Sequence, residues 1–318
     1  MAFDPETPAH DLEDAARLAL LEALDLQGYH FITPTPETHR LVIRKRRPKR
    51  AQNLRDVLGW SLAFEPETVD PALFELMRQG GLIAGRGRRL RSAVRVSSLQ
   101  GGLFLHSAFP TDDENAVFFG PDSYRFADFL RAELAGGPSV GRLAEIGAGS
   151  GVGAIAAAKA CGAKDVLLTD VNPRALRLAA VNTAFARVKV RLLQTSGLDG
   201  VEAGLDLIVA NPPYIADRHG SLYQHGGDLH GAQLALEWAD AAVARLAPGG
   251  RFLLYTGAPV VEGEDIVRTR LEALAERSGM ALSYRELDPD VFGSELSRPA
   301  YAEVERIAAV GAVLTRPG

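Results

Sequence analysis

The run Leu205-Asp206-Leu207-Ile208-Val209-Ala210 is followed at once by Asn211-Pro212-Pro213-Tyr214. The run is short and apolar, which suits a buried strand of a parallel sheet. Two adjacent prolines cannot extend it, because neither has an N–H for the ladder and each fixes φ at about −65°. The chain must therefore leave the sheet as a stiff turn at the carboxyl end of a strand, where open α/β sheets hold their ligands. Asn211, Pro212 and Tyr214 then present an amide, a carbonyl and an aromatic ring on a rigid mount. These three are the candidate catalytic residues.

Around this turn the chain alternates strand and helix. The patterning predicts strands near Arg142 to Ile146, Val166 to Thr169, Val188 to Leu193, Leu205 to Ala210 and Arg251 to Tyr255. Later strands are expected near Ala281 to Glu286 and Ala302 to Ala309. Such an order implies an α/β fold, a doubly wound, Rossmann-like sheet of seven strands with helices on both faces.

The front of the chain reads differently. Apolar positions from Leu12 to Leu24 form a helical stripe, Thr35-Pro36 opens a second helix, and Asp70-Pro71 opens a third that stops at Gly80-Gly81. Two β-like runs follow, Leu90 to Ser97 and Leu103 to Ser107, joined through Gly101-Gly102. Helix followed by basic hairpin is the order of a winged-helix unit, though many small α+β modules share it. At 318 residues two domains are the natural expectation. The polar, proline-containing stretch Phe109 to Glu114 divides them into a smaller α+β domain over 1–110 and a larger α/β domain over 111–318.

Charge separates the same two parts. From Arg40 to Arg95 there are 14 Lys/Arg against 5 Asp/Glu, whereas from Thr111 onward there are 20 against 27. A basic front on an acidic rear suggests an anionic partner for the front, with segments 44–50 and 86–95 as the docking surface. The plainer reading of Arg44 to Arg50 is a solvated helix end whose cations complement the dipole. The single cysteine, Cys161, suits a reducing compartment. No signal peptide and no membrane span are expected, since the amino terminus lacks a basic and apolar leader and no apolar run is long enough. A cytoplasmic protein is the expectation.

The stretch Glu145-Ile146-Gly147-Ala148-Gly149-Ser150-Gly151-Val152-Gly153 links the first of the alternating strands to a helix. Glycines are needed where a ligand touches the backbone, and the helix N-terminus offers free N–H groups. Asp170 follows at the spacing of a ribose-binding acid. An adenosine-containing ligand is implied, either a dinucleotide or S-adenosylmethionine. Two features favour the second. Glu145 would repel a pyrophosphate but could face an ammonium group, and Asn-Pro-Pro-Tyr has no role in hydride transfer.

On these residues the chain resembles the class I S-adenosylmethionine-dependent methyltransferases, in the branch whose Asn-Pro-Pro-Tyr motif acts on amide or amine nitrogen. The resemblance covers roughly Val117 to Ala309. It implies that Glu145, Gly147, Gly149 and Gly151 line the methionine part of the cofactor and that Asp170 holds the ribose hydroxyls. Asn172 and Asn182 match positions that recur in the branch, and Asn172 and Asn211 are further candidate cofactor contacts. The family often carries an acid after its third strand to read the adenine amine. Here that region is Gln194-Thr195-Ser196-Gly197, which leaves Ser196 as the adenine contact.

An amide nitrogen is a poor nucleophile because its lone pair is delocalised. The Asn211 side-chain oxygen and the Pro212 carbonyl can both accept from one NH2 group, aiming the lone pair at the methyl sulfonium, while Tyr214 offers a flat surface. The glycine- and histidine-rich segment after the motif, Asp217-Arg218-His219-Gly220 and His225 to Gly231, resembles that of the release-factor protein-glutamine N5-methyltransferases. Phe119 to Tyr124 resembles the segment that closes over the cofactor in those enzymes. The resemblance implies a glutamine side chain of a translation factor as acceptor. An adenine N6 amine of ribosomal or transfer RNA, or a small molecule, would suit the same four residues. His219, His225 and His230 lack the cysteine or carboxylate pattern of a metal site, and no metal is expected.

Overall fold

The computed structural model describes residues 8–87, 89–214 and 227–318. Arg88, within the segment 86–95, and Asp217, Arg218, His219, Gly220 and His225, named above, lie outside the described residues.

The front of the chain comprises α1 (Pro8–Leu26), α2 (Pro36–Lys45), α3 (Leu54–Leu58), α4 (Pro71–Gln79) and the strands β1 (Ile83–Arg86), β2 (Arg89–Ser92), β3 (Val94–Leu99) and β4 (Gly102–Ser107). The caps read from sequence form as expected. The Thr35 side chain accepts from the Thr38 N–H, and Asp70 accepts from Ala72 and Leu73, each with proline at the first helical position. Leu12 departs from its expected stripe and is 76% exposed, while Leu20, Leu21 and Leu24 are fully buried.

The expected single basic hairpin is instead two. Strands β1 and β2 pair antiparallel, the chain turns at Ala93, and β3 pairs antiparallel with β4. The second pair is no exposed wing, because every residue of β3 is buried, Arg95 included. Several of its polar groups bond internally: Ser97 Oγ lies 2.5 Å from Thr33 Oγ1 and 2.7 Å from His106 Nε2. Alternation of apolar and polar residues, which usually marks a half-exposed strand, here marks a strand with a dry apolar face and a dry hydrogen-bonded face. Arg95 thus leaves the proposed docking segment, whereas Arg86, Arg89 and Arg91 remain exposed.

Within the run Arg44 to Arg50, two cations complete the end of α2 and two pair with carboxylates, Arg50 with Glu65 at 3.0 Å. Lys49 donates to the Ile43 and Arg44 carbonyls, Arg47 donates to the Arg44 and Arg46 carbonyls, and Arg46 pairs with Asp56. These are the orphan carbonyls that any helix C-terminus leaves.

The larger part begins with α5 (Pro121–Leu134). It continues through β5 (Arg142–Ile146), α6 (Val152–Cys161), β6 (Asp165–Asp170), α7 (Pro173–Phe185), β7 (Arg191–Gln194), β8 (Leu205–Ala210), α8 (Gln233–Val243) and β9 (Leu246–Val261). Next come the two-residue β10 (Glu264–Asp265), α9 (Ile266–Ser278), β11 (Ala281–Asp288) and β12 (Arg306–Thr315). The seven expected strands form one sheet in the order β11-β12-β9-β8-β5-β6-β7, with β10 folded back on β9. Strands β5 to β9 run parallel, and β12 is antiparallel to both its neighbours. One face is covered by α5 and α6 through Phe126, Leu130, Ile155 and Ala157, the other by α8 and α9 through Ala235, Ala239, Val267 and Leu271. Burial on both faces is why β8 reads as a continuous apolar run.

A third apolar cluster joins the parts. Leu20 and Leu24 of α1, Val96 of β3 and Leu105 of β4 pack with Ala175, Leu178 and Val181 of α7. Arg177 of α7 also reaches Glu13 at 2.7 Å and Asp14 at 3.1 Å. Among the described residues no helix is long and apolar enough to cross a membrane.

Candidate active site

The strand order reverses at β5, whose neighbours are β8 and β6. Ligands in open α/β sheets bind at such a switch point. The register pairs Ile146 with Ala210, so the glycine loop and Asn211 leave the sheet side by side. They open into a cavity of about 1160 Å³ whose walls include Glu145, Gly147, Gly149, Asp170, Asn172, Ser196 and all of Asn211 to Tyr214. Of the expected cofactor residues Gly151 is the exception. It caps α6 behind the cavity wall, with Ala179 and Thr183 of α7 as its neighbours.

Gly147, Gly149 and Gly151 have φ of 67°, 52° and 77°, the left-handed region that glycine enters without a Cβ penalty. Glu145 departs from its expected orientation. Its two carboxylate oxygens accept from the Gly153 and Ala154 N–H groups at 2.9 and 2.8 Å, so they secure the start of α6 and do not stand free in the cavity. Burial pushes this carboxyl up to about 8, against the pull of those two donors, with Asp170 adding a smaller upward push. Because the folded value lies above the ordinary 4.5, the group favours the fold most below pH 4.5 and loses that contribution as pH rises to about 8. The loss is about 1.4 kcal/mol for each pH unit crossed. The stability of the wild type relative to Glu145→Gln, read from urea midpoints, should therefore fall between pH 5 and pH 8. Parallel curves would mean that Glu145 is already ionised at pH 5.

Asp170 ends β6. Its Oδ2 accepts from the Gly149 N–H at 2.9 Å and its Oδ1 from the Asn172 N–H at 2.8 Å. Each oxygen keeps a second lone pair for a hydroxyl. Burial raises its pKa and the backbone donors oppose the rise. Asn172 caps α7 through Arg174 N and donates to the Asn115 carbonyl, so its amide is engaged in structure. Asn182, fully buried, donates to the Leu105 and Ser150 carbonyls and accepts from Leu105 N–H. It ties the glycine loop to strand β4 of the front.

Ser196 is exposed to the cavity beside Gly197. Trp238 of α8, which the sequence reading passed over, lines the same wall. A Cβ on Gly147 would come within 2.5 Å of its ring, and one on Gly197 within 3.7 Å. It lies seven residues beyond the segment His225 to Gly231, and only packing reveals it.

At the opening motif Asn211 Oδ1 is buried and has no hydrogen-bond partner among the described residues. A buried acceptor without a donor costs about 1–3 kcal/mol, which a ligand N–H would recover. Tyr214 is held from three sides. Its hydroxyl donates to Asp122, its ring lies against Gly257, and Phe292 sits 5.4 Å away. Tyr255 OH also donates to Asp122 at 2.7 Å, and Arg125 links Asp122 at 3.4 Å to Asp288 at 2.8 Å. Burial raises the Asp122 pKa, opposed by the two tyrosine donors. Asp122 falls within the segment singled out before the glycine loop, but nothing in spacing links it to Tyr214. His230 turns from the cavity and places Nδ1 2.6 Å from the Ala300 carbonyl. No cluster of potential metal ligands occurs among the described residues.

Left-handed glycines open to the cavity, a half-used carboxylate at the end of β6 and an unsatisfied amide oxygen at the end of β8 fit an adenosyl methyl donor and its acceptor. Comparison with known proteins agrees. Residues 126–260 match the family model of the methyltransferase small domain. The release factor glutamine methyltransferase of Bordetella pertussis is 31% identical over 208 residues, covering 64% of this chain and 74% of that protein. The enzyme of the same name from Lactococcus lactis is 30% identical over 156 residues, and the chain spans 57% of its length. In fold, Trm5b of Pyrococcus abyssi superposes with a TM-score of 0.50 at 17% identity, over 80% of this chain and 69% of that one. The chain belongs to the class I S-adenosylmethionine-dependent methyltransferases, in the family that includes the release factor glutamine methyltransferases. S-adenosylmethionine is accordingly its cofactor.

Proposed function

We propose that the protein methylates a planar side-chain nitrogen, and that the acceptor is the amide of a glutamine in a translation release factor. The buried, unsatisfied Asn211 Oδ1 on the wall shared with the glycine loop carries this reading. The similarity to proteins named release factor glutamine methyltransferase supports the acceptor. When bound, S-adenosylmethionine supplies a methyl whose carbon–sulfur bond breaks, leaving the electron pair on sulfur as the nitrogen lone pair forms the new N–C bond. Asn211 Oδ1 and the Pro212 carbonyl accept the two N–H bonds of the acceptor and so aim that lone pair. The surplus proton on nitrogen passes to water at the cavity mouth.

In this reading Gly147 and Gly149 let the backbone approach the methionine part, Asp170 takes the ribose, and Ser196 with Trp238 borders the adenine. Tyr214 holds the motif at a set height through Asp122. Residues 1–110 form the acceptor-recognition unit, and an acceptor in translation would place the protein in the cytoplasm. The test is incubation of a cell extract with labelled S-adenosylmethionine, followed by digestion. Label that survives ribonuclease and is lost to protease is expected. Label lost to ribonuclease would transfer the acceptor to RNA and overturn the glutamine assignment.

A further inference from the structure

The cavity that contains Asn211 extends past the sheet, and its far wall is built by the front of the chain: Pro34, Glu37, Arg40, Arg95 and Phe109. Two guanidinium groups meet there. The Arg40 Cζ lies 5.7 Å from the centre of the Phe109 ring and the Arg95 Cζ 6.0 Å from it, while His39 stacks on the same ring at 4.1 Å. Arg40 is exposed and has no ion pair with a carboxylate among the described residues. Arg95 is 4% exposed, and its Nε reaches the Ser107 carbonyl at 3.4 Å. Burial, then the charges of Arg95 and Arg40, hold His39 at about 4, so at neutral pH the imidazole is uncharged. The recess therefore sets two cations, Arg40 and Arg95, against one carboxylate, Glu37, around a neutral imidazole and phenyl ring. Guanidinium forks of this kind match carboxylate geometry.

We propose that this end of the cavity is an anion subsite that receives an acidic side chain of the polypeptide carrying the methylated amide. The assignment rests on the function proposed above and adds a sequence preference to it. A phosphodiester strand fits the recess poorly. Glu37, Asp290 and Glu295 line the same cavity and would repel a chain of successive phosphates, and Phe109 is too covered by Arg40, Arg95 and His39 to stack on a base. A single carboxylate entering between the arginines faces two cations against the one charge of Glu37 and needs no stacking on Phe109.

The test uses the full chain with S-adenosylhomocysteine bound and reads fluorescence anisotropy of three labelled probes. They are a short peptide with glutamine between glutamates, the same peptide with those glutamates changed to glutamine, and a single-stranded RNA of equal length. The acidic peptide should bind about tenfold more tightly than the neutral one, as expected for a charge-assisted hydrogen bond, and the gap should narrow with salt. Arg40→Ala should remove the preference, Arg40→Glu should reverse it, and Arg40→Lys should restore part of it, all with unchanged S-adenosylhomocysteine affinity. Equal binding of the two peptides, indifference to Arg40, or tighter binding of the RNA with the same Arg40 dependence would overturn the subsite. Methyl transfer is followed in parallel. An acidic peptide that binds through Arg40 yet takes up no label keeps the subsite and counts against the amide-methylation reading.

Discussion

Asn211→Ala is expected to lower methyl transfer by roughly 10²–10³-fold, the usual effect of removing one group that stabilises the reacting arrangement. Cofactor affinity should change little, because in the proposed reading the glycine loop and Asp170 supply most of the cofactor contacts. The argument is local. The Asn211 oxygen is buried without a donor, so its desolvation has already been incurred by the fold, and an acceptor N–H gains nearly the whole hydrogen bond. Single-turnover transfer from labelled cofactor measures the first quantity, and calorimetric titration with S-adenosylhomocysteine the second. Turnover retained in the variant would remove Asn211 from the mechanism.

Asn182→Leu should cost roughly 2–5 kcal/mol of stability, although residue 182 does not line the cavity. Its amide satisfies the Leu105 N–H, the Leu105 carbonyl and the Ser150 carbonyl in a fully buried setting. Leucine has similar bulk but leaves three backbone groups unpaired away from water. Cofactor affinity should fall with stability, because Ser150 belongs to the glycine loop. Urea unfolding and the same calorimetric titration check both effects. A change under about 1 kcal/mol would mean that water replaces the amide and that the link between β4 and the loop is not a rigid one.

Most of the larger part was legible before any coordinates. Strands β5 and β8 fall on the predicted residues, and β6, β9 and β11 contain theirs. Strands β5 and β8 are short runs, largely apolar, bounded by glycine or asparagine, and their burial on both faces writes that pattern directly into sequence. The glycine loop and Asn-Pro-Pro-Tyr were legible for a related reason: positive φ and a broken ladder admit few residue types. The front was harder to read. Its buried hairpin keeps a dry polar face through Thr33, Ser97 and His106, which alternation alone presents as solvent-facing. Of its basic run, which suggested a partner, Arg47 and Lys49 serve carbonyls at the end of their own helix, and Arg46 and Arg50 pair with Asp56 and Glu65.

A doubly wound sheet, a glycine loop suited to an adenosine and a stiff turn at the end of β8 are legible from sequence alone, because each depends on neighbours a few residues apart. Tertiary structure alone decided that Glu145 secures α6, that Asp122 and Tyr255 pin Tyr214, and that Trp238, Arg40 and Arg95 share the cavity with Asn211. Those pairings join residues far apart in the chain, and their chemistry arises from distance and burial, which side-chain type does not encode.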